Sequence, residues 1–449
     1  MNFRHYLLQI AGMLCCWSAV AQEFQDHQIA QPGAGRFDLT GWNDLTFNST
    51  DVGFPKLFTD SSAHEAGIRG GSEISSNSLS LAFSVSALSN NYLDEDLKNS
   101  VSDQLSGKNV FEYHAGAEIF FRFIAENFIG RSPALLSFGF RAGSFQQLGF
   151  TDDLFHVAFY GNAGYAGRTA DFSGSEGLLY DYRQVRFGIQ KKVSKASAVW
   201  EAGLGASILF AKNGSQVKVN EGTLFTEQNG EYLHAVYDFE YMVSDTGNKG
   251  TLQADGIGAA ADVMLAWLSA DRNSRMVLFV NDLGFIGWNN RTDLYRADSA
   301  IYFEGIEATD FLTGEDDALF QFNTDSILVR TGTSSERGAL TTFLPFSLSL
   351  NYSNAFADRW MAGGGISYRP SVDLMPFFYA QPVYSFSRWF DGGVTLSYGG
   401  TAGFQLGILG QFSWGNQLQI RLASENIMGI LLPYQSTSTS LFLQASVQF

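Results

Sequence analysis

The chain closes on Leu441-Phe442-Leu443-Gln444-Ala445-Ser446-Val447-Gln448-Phe449. Taken two apart, Leu441, Leu443, Ala445, Val447 and Phe449 share one face, and Phe442, Gln444, Ser446 and Gln448 share the other. That is a strand with one apolar and one mostly polar side. Its length fits the roughly 9 to 11 residues that cross a bilayer at a tilt. The final aromatic, Phe449, has the form of the signal that outer-membrane assembly machinery reads. The last strand of a soluble sandwich would alternate too, so the remainder of the chain decides.

Residues 1–21 read as a secretory signal: Arg4 gives the basic start, residues 6–17 the apolar run, and Ala19-Val20-Ala21 the small-residue cleavage site. No later stretch approaches the roughly 18 uncharged apolar residues of a spanning helix, so a membrane crossing would have to use strands. Both cysteines, Cys15 and Cys16, lie in the signal, which leaves the mature chain without a thiol. The net charge is -17 and becomes -18 once Arg4 is removed. Such an acidic balance argues against nucleic acid as a partner, because phosphate contacts need clustered Lys and Arg. Forty-seven Gly and 40 Phe at a mean hydropathy of -0.04 suit a barrel with a polar inside.

Alternation recurs along the chain at residues 79–86, 115–123, 136–142, 185–193, 200–210, 346–352, 394–398, 404–414 and 418–422. The stretch 200–210 is long for a soluble strand, whose usual length is about 5 or 6 residues. Gly415-Asn416 marks a hairpin turn. Two stretches break the rhythm. Residues 91–108 place Leu93, Leu97, Val101 and Leu105 four apart behind Asp94-Glu95-Asp96 and before Gly107, which predicts a short amphipathic helix over 91–106. Residues 300–338 read as a long loop, with a short helix near 307–312. No composition shift marks a second domain, so residues 22–449 are expected to form one barrel. At about ten residues per strand this means an all-β, closed, antiparallel transmembrane β-barrel of about 14 strands, range 12 to 16, because strands in lipid must pair on both edges.

The tract Phe159-Tyr160-Gly161-Asn162-Ala163-Gly164-Tyr165-Ala166-Gly167-Arg168-Thr169-Ala170-Asp171-Phe172-Ser173-Gly174 resembles a signature of a family of uncharacterised Bacteroidota outer-membrane barrel proteins. Lys108-Asn109, the strand at 136–141, Asp153-Leu154-Phe155 and Lys191-Lys192-Val193 are similar to it as well. The resemblance covers residues 92–210 well and the remainder generally. The motif usual near the mature N-terminus stands here only as Gln31-Pro32-Gly33-Ala34. It implies an outer-membrane barrel loosely akin to fatty-acid-transporter and type IX secretion membrane-protein barrels, and it brings no established ligand or site.

Alternation places Glu118, Arg122, Arg141, Arg186, Gln190, Glu201, Gln417, Gln419, Arg421 and Gln444 toward the lumen, and Phe121, Phe138, Phe187, Ile208, Phe412 and Ile420 toward lipid. Charges of both signs inside a barrel either tie the wall together or form a solute-selecting constriction. Gly161, Asn162, Thr169, Asp171 and Gly174 read as a structured loop, more a folding element than a binding one. The histidines have no metal-ligand spacing, and no metal or cofactor is expected. His156, beside Asp152 and Asp153 where a strand is expected to begin, is the one local candidate for hydrolase chemistry, and no nucleophile elbow accompanies it. Glu315-Asp316-Asp317 lacks calcium-loop spacing and reads as a solvated loop.

The sequence therefore predicts a non-enzymatic barrel in the outer membrane of a Gram-negative bacterium, a channel or transporter for a small solute, with hydrophobic solutes among the candidates. The alternative is a scaffold anchoring periplasmic, surface or secretion-machinery partners. Its expected contacts are outer-membrane lipid, the assembly machinery, and an unknown solute or protein partner.

Overall fold

Each alternating stretch becomes a wall strand because in a closed ring one side-chain face meets the interior and the other the surroundings. The computed structural model describes residues 64–304 and 333–449, apart from positions 90, 129–131, 196–197, 246, 249, 251–252, 371 and 416. The signal, the helix expected near 307–312 and Glu315-Asp316-Asp317 lie outside the described residues.

Fourteen wall strands follow one another in chain order. They are β1 (Glu65–Ser76), β2 (Asn109–Phe128), β3 (Ser132–Phe150), β4 (Glu176–Lys195), β5 (Ala198–Thr226), β6 (Gly256–Ser269) and β7 (Ser274–Trp288). The ring continues with β8 (Ser347–Ala357), β9 (Trp360–Tyr368), β10 (Met375–Ser387), β11 (Phe390–Gly400), β12 (Gln405–Trp414), β13 (Leu418–Ser424) and β14 (Ser438–Gln448). All pairings are antiparallel, and β14 returns to β1 in the register Glu65↔Gln448 through Ile68↔Ala445 to Ser75↔Ser438. Each of the fourteen described wall strands thus has a neighbour on both sides, which is what a low-dielectric surrounding requires of backbone N–H and C=O groups.

One end of the barrel has tight connections, such as 270–273, 358–359 and 388–389, while the other carries long ones, including 77–108 and 151–175. On β5 the outward residues run from Trp200 through Leu204 and Ile208 to Phe210, all of them exposed. Ten steps of about 3.3 Å at a tilt near 40° give roughly 25 Å, the height of a membrane barrel's apolar band. Trp200, Trp360, Trp389 and Trp414 are exposed at the tight-turn end, where interfacial aromatics belong.

β5 is 29 residues long and outruns the wall. Its second half pairs with the strand Leu233–Val243, that strand pairs with Asp293–Phe303, and Asp293–Phe303 pairs in turn with Ser334–Arg337. The sequence reading of 300–338 as loop is thus corrected at both ends: 300–303 and 334–337 are strand, held by these neighbours.

Three further expectations change. Residues 79–86 alternate, yet residues 81–88 form helix α1 (Leu81–Leu88). Ser80 caps it by accepting from the Phe83 amide at 3.3 Å, and Leu81 and Phe83 are buried. The wall strand has already ended at Ser76, so local capping and burial decide. The helix expected over 91–106 is α2 (Glu95–Ser102), capped by Asp94 at 2.8 Å from the Leu97 amide. His156 lies on helix α3 (Asp152–Tyr160), not at the start of a strand, because the Thr151 hydroxyl accepts from the Leu154 amide at 3.1 Å and starts the turn. The three helices share a small core of Phe83, Leu97, Val101, Phe150 and Phe155 above the long-loop end. A fourth, α4 (Ile427–Leu431), bridges β13 and β14.

Candidate functional site

The inner face is where this fold concentrates charge. On β1 to β7 the inward positions carry arginines and acids, while β8, β9 and β11 add small ones, Ser347, Ser349, Ser353, Ser367, Thr395 and Ser397, and β10 adds Phe377, Tyr379, Gln381 and Val383, all of them buried. Period-two geometry makes both halves inward-facing, and side-chain chemistry makes them different.

A ladder of ion pairs crosses the first half. Arg69 donates from Nε and Nη2 to Glu118 Oε2 at 2.9 and 2.8 Å. Arg186 reaches Glu118 Oε1 at 3.4 Å and Asp262 Oδ2 at 3.2 Å. Arg141 donates to Asp282 Oδ1 at 2.8 Å, and Gln184 donates to the same oxygen at 2.9 Å. Gln184 also donates to Ser207 Oγ at 2.6 Å. All these groups are buried, and three guanidiniums face three carboxylates. Arg69 and Arg122 both stand over the inward Phe120 ring, at 4.8 and 4.6 Å from its centre. Buried charges persist only when paired and hydrogen-bonded, and this ladder meets that condition without net charge.

Two backbone features make the ladder possible. Glu118 and Arg186 lie on β2 and β4 with Gly139 of β3 between them, and a Cβ on Gly139 would clash with Glu118 Oε1. Asp282 adopts φ 58 beside an irregular β6–β7 register between Ala261 and Val263. That conformation turns its carboxylate inward while its amide donates to Asp262 Oδ1 at 2.9 Å.

Toward the tight-turn end, Arg122 pairs with Glu65 at 2.8 Å. There Glu201 accepts from Gln190 at 3.0 Å and from Arg275 at 3.2 Å. Arg421 donates to Gln411 at 2.7 Å and to Gln419 at 3.2 Å, and Gln444 is buried. Gln417 departs from its expected place: it is exposed in the turn before β13, outside the wall, because β12 ends at Trp414 and Gly415 turns with φ 61.

Toward the long-loop end the inner face becomes apolar, with Phe145, Tyr180, Tyr182, Leu209, Ile286 and Trp288 in one buried cluster. Beside it lies a second polar group. Arg369, just beyond β9, donates to Glu112 Oε2 on β2 at 3.0 Å, stands 3.1 Å from His114 Nε2, and binds Asp373 Oδ1 at 2.7 Å. Thr401, between β11 and β12, donates to Glu112 Oε1 at 2.6 Å. β2 and β9 stand seven places apart in the ring of 14, so Arg369 joins opposite walls. Sequence reading missed this group because Arg369 follows a strand that ends in Ser-Tyr, and nothing local pairs it with position 112.

Phe121, Phe187, Ile208, Phe412 and Ile420 are exposed on the outer surface, and Phe138 is half-buried against Phe187 at 5.2 Å between ring centres. Phe449 stacks on His64 at 5.8 Å, and its amide donates to the His64 carbonyl at 3.0 Å.

The glycine-rich tract sits at the long-loop end. Gly161 and Gly174 take φ 80 and 77, Asn162 donates to Thr226 Oγ1 at 3.3 Å, and Thr169 faces Phe225 across a short ladder. Asp153 accepts from the Asp171 amide at 2.7 Å and from the Tyr165 hydroxyl at 2.7 Å. Burial, together with that bond to Asp153, pushes the Tyr165 phenol above its ordinary range. Asp152 accepts from the Gly107 amide and from Asn109. Neither acid therefore orients His156, whose Nε2 lies 2.8 Å from Ser102 Oγ. A catalytic base lacking an orienting carboxylate falls short of the triad arrangement. Among the described residues no group of three His, Cys, Asp or Glu side chains is placed to hold a metal ion.

These features define a class: a closed, 14-stranded antiparallel barrel with an apolar outer band and an ion-paired interior. Residues 66–424 match the model of a family described as Family of unknown function (DUF5723), and the chain belongs to that family. No curated protein matches the chain. Among solved structures it is similar to the Pseudomonas putida toluene transporter TodX, at 10% identity over 89% of this chain and 92% of that one, with a TM-score of 0.37. The Ralstonia pickettii toluene transporter TbuX gives 9%, 93%, 96% and 0.40. A Pseudomonas aeruginosa FadL homologue gives 10%, 94%, 99% and 0.39. At these TM-scores the barrel rests on its own strand pairing, not on the likenesses.

Proposed function

We propose that the protein is an outer-membrane channel that admits a small solute with an apolar part, and that this conformation is its closed state. The observation that carries this reading is the tie between opposite walls. Arg369 bonds Glu112 across the ring from a short connection rather than from a wall strand, so the tie can be broken without unpairing the barrel. The aromatic cluster beside it gives an apolar solute a favourable surface. In purified form the protein should speed the entry of small aromatic solutes into liposomes, and equal rates with and without protein would end the channel reading.

A scaffold role is favoured by a different observation. The sheet formed by the far half of β5, Leu233–Val243 and Asp293–Phe303 stands beyond the wall and offers a surface for a partner. If that is its task, deleting residues 227–243 and 293–303 should abolish partner co-purification and leave the barrel intact. On either reading the surrounding contacts are outer-membrane lipid and the assembly machinery addressed by Phe449.

A further inference from the structure

The group around Arg369 is not balanced in charge. One guanidinium serves Glu112 and Asp373, and a third carboxylate, Glu73, faces the same space from β1. Glu73 is the register partner of His114 and is only 5% exposed. Its electrostatic neighbours are Arg369, Glu112 and Asp373. Glu73 Oε2 is buried and accepts no hydrogen bond. In the mid-barrel ladder, by contrast, Glu118, Asp262 and Asp282 are each matched by an arginine.

A buried carboxylate oxygen without a donor, beside two acids that share one cation, is costly unless it takes up a proton or a further positive donor completes it. Metal chelation does not fit, since no three of these acids and His114 are placed to hold an ion. A multi-donor organic cation does fit, because an ammonium or guanidinium group carries several N–H donors that separate oxygens can share. On the neighbouring strand, Phe145 meets the His114 ring edge-on at 4.6 Å and stacks on Tyr180 at 5.3 Å. An apolar wall thus adjoins the acids.

We propose that Glu73, Glu112 and Asp373 form a binding site for the ammonium or guanidinium head of a small organic cation, with Glu73 as the docking carboxylate. On binding, the cation competes with Arg369 for Glu112 and so loosens the tie between β2 and the β9–β10 connection. This deepens the channel reading by naming the class of solute, and it rests on that reading only for the consequence of binding.

The test uses the full mature protein in detergent, with benzylamine, benzyl alcohol and benzoate as probes of one ring and three charges. By calorimetry benzylamine should bind at least tenfold tighter than either of the others. Glu73→Gln, which keeps size and fold, should lower benzylamine affinity tenfold or more and leave benzyl alcohol unchanged. Ser102→Ala, whose hydroxyl bonds His156 and none of the three acids, serves as the control and should bind as the parent does. Equal affinities for the three probes, or an undiminished affinity in Glu73→Gln, would overturn the site. The two readings separate in liposomes: benzylamine that binds but does not cross ends the channel and keeps the site. A flux of benzyl alcohol with no preference for the amine does the reverse.

Discussion

At the residue scale, the interior depends on positions whose importance lies in what they leave out or turn around. Gly139 leaves the space through which Glu118 meets Arg186, so Gly139→Ala should push the Glu118 carboxylate away and break that contact. The expected loss is about 1–3 kcal/mol, the cost of an unsatisfied buried polar group, read as a lower urea midpoint. Arg141→Met leaves the buried Asp282 without its paired guanidinium and should cost about 3–5 kcal/mol. Adding Asp282→Asn should recover much of it, because the lone charge disappears and asparagine tolerates the positive φ. If the double variant unfolds as early as Arg141→Met alone, the pair is not what holds that part of the wall. The inward placement of these arginines was legible from alternation, but their partners were not. Arg186 meets Glu118 across 68 positions and Arg369 meets Glu112 across 257, distances over which period-two reading carries no information.

At the element scale, strands were legible where one face is greasy for eight or more residues, as at 200–210 and 441–449. They were misread where local hydrogen bonding overrode the pattern, as at α1 and α3, whose Ser80 and Thr151 caps act within three residues. The outer face of β5 gives a graded prediction. Leu204→Arg, mid-band, should destabilise the inserted barrel by about 2–4 kcal/mol, whereas Trp200→Arg at the girdle should cost about 0–1 kcal/mol. Equal costs at both positions would place the band elsewhere. Beyond the wall, Arg337 donates to Asp293 at 2.7 and 3.0 Å and holds Ser334–Arg337 on its neighbour. That bond lowers the Asp293 carboxyl below its ordinary range. A lowered acid stabilises above its unfolded pKa of about 3.9 and loses that contribution as pH falls through the folded value. Protection factors at 334–337, with the intrinsic pH dependence of amide exchange divided out, should therefore fall below about pH 4, modestly because the pair is exposed, and pH-independent protection would remove the pair from the account.

At the scale of the whole molecule, the decisive feature is the seam between the first and last strands. The terminal strand announced a barrel but could not say where it would close. Its alternation fixed which face looks inward, while the partner was left to an element nearly four hundred positions away. β14 meets β1 with Ile68 opposite Ala445. Opposed residues on antiparallel strands bring Cα atoms about 4.5–5.5 Å apart, within the span of a disulfide. The chain's two cysteines, Cys15 and Cys16, fall in the expected signal, so an engineered pair should have no competing thiol in the mature protein. Ile68→Cys with Ala445→Cys should cross-link on mild oxidation in the folded barrel. Boiled without reductant, the product should migrate faster than the reduced chain, because a ring of nearly the whole sequence cannot extend. Ile68→Cys with Leu441→Cys, displaced four positions along the same face, should stay reduced. Cross-linking of the displaced pair, or of neither, would mean the wall closes in another register. The inward and outward assignments on both strands would then have to be rebuilt, since a slip of one residue exchanges the two faces.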